Sequence, residues 1–88
     1  MYKNRSDFGN NIVGAKIGMI RVNMVPKTSQ RALADKLQLI GLDIDKNAIQ
    51  RIECGKRFVT DIELKYFCEL LHVSADELLG LKKGEEKD

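Results

Sequence analysis

Two six-residue stretches in the second half of the chain repeat one physical design, and they constrain the fold more than anything else in it. The first is Val59-Thr60-Asp61-Ile62-Glu63-Leu64, and the second is Val73-Ser74-Ala75-Asp76-Glu77-Leu78. Each places an apolar residue before a hydroxyl, a glutamate three positions after it, and a leucine next. The hydroxyl can accept a hydrogen bond from the glutamate's backbone N–H, while the glutamate carboxylate returns to the hydroxyl residue's own N–H. The apolar residue and the leucine then close over the first turn. Two helix starts follow. One helix is predicted from 61 to about 72, with Leu64, Phe67, Cys68 and Leu71 inward; a short one is predicted over 75–79, with Gly80 ending it.

The rest of the chain is also helical in period. Val13, Ile17, Ile20 and Met24 make one apolar stripe, so a helix is predicted over 11–24, with Asn10 or Asn11 as cap. Gly14 and Gly18 weaken that helix but let a neighbour approach closely. Pro26 is expected to end it, because the residue before a proline avoids helical geometry. Ser29 caps a second helix to 39 or 40, with Leu33, Ala34 and Leu37 inward and Gly41 placed to stop it. Asp45 caps a third, in which Ile44 can pack on Ile49 as a staple; Gly55 ends it. Strands with a period of two are missing, and aromatic content is 6% with no Trp. The expected fold is therefore all-α: five helices around an aliphatic core, in a chain of 88 residues that supports one domain over 10–80. Residues 1–9 read as a polar, flexible arm carrying Lys3 and Arg5, and 81–88 as a charged tail.

The formal net charge of +2 conceals a split: residues 1–57 hold 11 Lys and Arg against 5 Asp and Glu, and residues 58–88 hold 4 against 8. A basic front and an acidic back suit a protein with one face toward a polyanion. The third helix carries Lys46, Asn47, Gln50 and Arg51 on the side opposite Ile49 and Ile52. These are side-chain types that bond base edges and phosphates, although the same four also read as the solvated face of a surface helix. Ile62, Tyr66 and Leu70 form a second stripe on the fourth helix, which reads either as a partner or dimer face or as the edge of the core.

Other chemistries find little support. Cys68 and His72 stand one helical turn apart, but a structural zinc site needs paired spacings and a fourth ligand, so neither metal nor cofactor is expected. Gly9 and Gly14 with Lys16 fall short of a phosphate loop, since the Lys is one position late and no Ser or Thr follows it. With one His and no paired catalytic groups, the chain is not expected to be an enzyme. Two cysteines without a leader pattern suggest a reducing cytoplasm, and no apolar run is long enough for a membrane span.

Taken in order, the residues resemble the Cro and phage-repressor type of helix-turn-helix family, the xenobiotic-response-element type. The carriers are Ile17, Ile20 and Arg21, then Ser29, Gln30, Leu33, Ala34 and Leu37. Next come Ile49, Ile52, Glu53, Gly55, Lys56 and Arg57, and finally Val73, Ser74, Glu77, Leu78 and Leu79. The resemblance implies five helices, with the second and third forming a unit that reads double-stranded DNA. It implies that Lys46, Asn47, Gln50 and Arg51 enter the major groove and that Gln30, Lys56 and Arg57 meet the backbone, where Lys27 is expected to join them. It further implies that Arg21 and Glu53 form a structural ion pair. Two connections are longer than the family's, before the second helix and before the third; the latter, over 38–44, bears on how the third helix would dock. The expected function is a sequence-specific transcriptional regulator acting as a homodimer on DNA. The alternative is a protein-interaction module, antitoxin-like or adaptor-like, that uses the 60–72 helix.

Overall fold

The computed structural model describes residues 9–81, whose regular elements are all helices, with no sheet strand among the described residues. The order is α1 (Gly14–Val22), α2 (Gln30–Leu39), α3 (Lys46–Glu53), α4 (Asp61–Leu71) and α5 (Ala75–Leu79). The Lys3 and Arg5 arm and the 82–88 tail lie outside the described residues. No described helix is long and apolar enough to cross a membrane.

Both capping boxes form. Thr60 Oγ1 accepts from Glu63 N–H at 3.1 Å while a Glu63 carboxylate oxygen accepts from Thr60 N–H at 3.0 Å. Ser74 and Glu77 repeat the exchange at 3.1 Å each way. Ser29 caps α2 through Ala32 N–H at 3.0 Å, and Asp45 caps α3 through Ala48 N–H at 2.8 Å. Helix α1 is shorter at both ends than its stripe suggests. Asn11 Oδ1 accepts from Val13 and Gly14 N–H, so the side chain serves the helix start from outside it. At the other end Asn23 Nδ2 donates to Met19 O at 2.9 Å and takes a carbonyl of the last turn, so the helix closes at Val22, well before Pro26.

The core runs through the middle of the bundle. Ile17, Leu33, Leu37, Ile49, Ile52, Phe67 and Leu78 are fully buried, and Val13, Leu42, Ile44 and Leu71 surround them. Helix α3 packs on both α1 and α2, α4 crosses α1 and α2, and α5 rests on α4. Truncating one of the central isoleucines, such as Ile52→Ala, should cost about 2–5 kcal/mol.

The connection after α2 is long but closely packed. Gly41, at φ +115°, turns the chain so that Leu42 N–H reaches back to Leu37 O at 2.9 Å. Leu42 and Ile44 then enter the core. Gln38 Nε2 donates to Ile44 O at 2.6 Å, holding the segment from above. Helix α3 therefore leaves a braced corner in which Ile44 and Ile49 share the core, as a staple requires.

Candidate nucleic-acid interface

Lys46, Asn47, Gln50 and Arg51 are all exposed, while Ile49 and Ile52 of the same helix are at 0% accessibility. Ala48 is half-buried between the two faces. Helix α3 is thus sharply divided: its apolar side is spent on the core, and its polar side ends in water.

The far end of α3 is held by a polar knot. Arg21 clasps Glu53 with two bonds, Nε to Oε2 at 2.7 Å and Nη2 to Oε1 at 3.0 Å, and its third arm donates to Thr28 O at 3.0 Å. Gln30 Nε2 donates to the same Glu53 Oε1 at 2.9 Å. The bond to Glu53 raises the Arg21 guanidinium above its ordinary range, and burial pulls the other way. One carboxylate therefore joins α1, α2 and α3, and the bidentate geometry makes the junction directional. Gln30 keeps its carbonyl oxygen and one N–H for other partners.

The residues expected at a phosphate backbone divide. Lys27 and Lys56 are exposed. Arg57 is half-buried and turned toward a carboxylate. Its two terminal nitrogens donate to the two Glu63 oxygens at 2.9 and 2.8 Å, and one also donates to Phe58 O at 3.0 Å. The Arg57 bond in turn lowers the Glu63 carboxyl below its usual range; burial opposes the shift and the Thr60 N–H bond assists it. Arg57 therefore ties the loop after α3 to the start of α4.

Arg31 was not anticipated at this site. It is exposed in the first turn of α2 and, with Gln38, Lys46 and Asn47, lines an open groove of about 490 Å³ between α2 and α3. Asp35 and Asp45 line the same groove, so its charge is mixed. Nothing local in the sequence announces Arg31, because it reaches the groove only through the packing angle of α2 on α3.

On α4 the expected partner stripe is narrower than its spacing suggests. Ile62 is 63% exposed, but Tyr66 and Leu70 pack partly against the core, and Tyr66 lies over Gly41. Cys68 is half-buried, with burial pushing its thiol up, and His72 is exposed. Among the described residues no group of three or more His, Cys, Asp or Glu gathers in a way that could hold a metal.

No family model, curated protein or solved structure matches the chain.

Proposed function

We propose that this chain is a sequence-specific DNA-binding regulator of the Cro and phage-repressor helix-turn-helix type, with α3 as the reading helix. The observation that carries the reading is the division of α3: four side chains suited to base edges stand together in water, over two isoleucines with no exposure at all. Asn47 and Gln50 suit the two-pronged pattern of adenine, and Lys46 and Arg51 suit guanine. Lys27, Lys56 and the remaining N–H of Gln30 take phosphate. Arg57 is left out of the contact set because Glu63 occupies it. The Arg21–Glu53–Gln30 knot has a structural role, holding the end of the reading helix. An eight-residue helix spans few base pairs, so useful specificity calls for two copies on a two-fold site.

The test is selection of bound duplexes from a randomised pool, repeated with Asn47→Ala and Gln50→Ala. Each variant is expected to lose about 1–3 kcal/mol of discrimination at the base it reads. If both keep the parent's preference, α3 is not the reading helix.

The open Ile62 on α4 favours a second reading, a protein-interaction module that uses the surface of that helix. It predicts no sequence preference among duplexes, together with loss of a protein partner on Ile62→Lys.

A further inference from the structure

Asn11 sits where three pieces of backbone meet. Its Oδ1 accepts from Val13 N–H at 3.1 Å and Gly14 N–H at 2.6 Å, at the start of α1. Its Nδ2 donates to Ile52 O at 3.0 Å and to Arg57 O at 2.8 Å, in the last turn of α3 and the loop beyond it. An amide side chain offers two lone pairs and two N–H groups, and all four are used here. Asn10 adds an outer pair of bonds, its N–H to Gly55 O at 2.7 Å and its Nδ2 to Lys56 O at 3.1 Å. Between them Gly14 approaches so closely that a Cβ on it would lie 1.8 Å from Ile52 O.

From this geometry we infer that the Asn10–Asn11 pair, Asn11 above all, consists of positioning residues that set the angle of α3 against α1 and so decide which bases the C-terminal half of α3 can reach. The inference rests on the DNA reading above for its consequence at a duplex. The clamp also has its own readout in the free protein. The argument is one of leverage. Helix α3 is fixed at its start by the Asp45 cap and the Ile44–Ile49 contact. At its other end Arg21 and Gln30 hold the tip of the Glu53 side chain, while the backbone carbonyls hang from Asn10 and Asn11. With the backbone bonds loosened, that end is held through the Glu53 side chain, whose rotatable bonds let the helix backbone swing about its start. Gln50 and Arg51, adjacent to Ile52, move furthest, and Lys46 and Asn47 move least. The loss of discrimination is therefore confined to the bases read by Gln50 and Arg51.

Asn11→Ser separates the two jobs of the side chain. A serine oxygen still accepts at the start of α1 but cannot bridge to both Ile52 O and Arg57 O. Asn10→Ala is the milder lesion and removes only the side-chain bond to Lys56 O. Two measurements decide. The first is base-by-base discrimination on the duplex that the parent chain enriches from a randomised pool. The second is amide hydrogen exchange in the free protein, which needs no DNA. For Asn11→Ser the expectation is about a tenfold loss of discrimination at the Gln50 and Arg51 bases, comparable to losing one good base contact. The Lys46 and Asn47 bases and the salt dependence should stay as in the parent. Exchange should quicken at Cys54, Gly55 and Lys56 while the α2 amides keep the parent's rates. Asn10→Ala should show the same pattern to a smaller degree, and it carries the test if Asn11→Ser does not fold. A uniform loss across all bases, or unchanged discrimination in a folded variant, overturns the inference. If the parent itself enriches no duplex, it is the DNA reading that fails. Exchange then decides the clamp alone: faster rates at 54–56 uphold it, and unchanged rates overturn it.

Discussion

His72 is a side chain held where glycine is easier: it closes α4 at φ +59°, in the left-handed region. Its Cβ crowds the backbone there, so His72→Gly is expected to stabilise the protein by about 0.5–1 kcal/mol, read as a rise in melting temperature. Gly14 is the converse case. Its missing Cβ leaves room for Ile52 O, which is backbone and cannot swing aside. Gly14→Ala should cost about 3 kcal/mol or more despite alanine's better helix propensity. Gly18 faces the Glu53 side chain at 3.2 Å, which Arg21 and Gln30 hold but which has to yield only a few tenths of an ångström. Gly18→Ala should therefore stay within about 1 kcal/mol of the parent. Denaturation of the two variants side by side checks the contrast.

Among the elements, the loop from α3 to α4 depends on one carboxylate. Glu63 completes the capping box and also holds Arg57. Its folded-state pKa is lowered, chiefly by the Arg57 bond. Its contribution is therefore fully present above the unfolded carboxylate pKa, about 4.3, and is lost as the pH falls through the lower folded value. Glu63→Gln can keep the cap acceptor but not the charge. Between neutral pH and pH 3 it should show a shallower fall in stability than the parent. An equally steep fall in the variant would assign the acid sensitivity to other carboxylates. The capping boxes were legible residue by residue because their partners stand three positions apart. The early end of α1 was not, because it depends on Asn23 turning back onto Met19 rather than on the proline beyond.

For the molecule as a whole, the charge split would set how it meets a polyanion on the proposed reading. Helices α4 and α5 set Lys65 against Asp61, Glu63, Glu69, Asp76 and Glu77, so a polyanion is repelled from that side, whereas across α2 and α3 Arg31, Lys36, Lys46 and Arg51 are balanced by Asp35, Asp43, Asp45 and Glu53. On the proposed reading, binding weakens steeply with salt. Lys27→Ala and Lys56→Ala should each lower the slope of log affinity against log salt by about 1 without changing which duplex is preferred. Arg57→Ala should leave that slope alone and lower thermal stability, since its partner is Glu63. An equal change of slope for Arg57→Ala would return it to the contact set. Arg31→Ala is the informative addition, because Arg31 reaches the α2–α3 groove only in the folded molecule.

Local chemistry along the chain determined the starts of α2 to α5, the all-helical class, the inward isoleucines of α3 and the outward quartet opposite them. Each depends on partners within about one helical turn, where spacing alone says which side chains meet. Tertiary packing decided what spacing cannot express. It turned Arg57 onto Glu63, seated Tyr66 and Leu70 against the core, brought Arg31 beside Lys46, and hung the end of α3 from Asn11, 41 residues earlier in the chain. The physical reason is that a long polar side chain has several partners within reach. Which one it takes depends on the angle at which two helices cross, and that angle comes from the whole core at once.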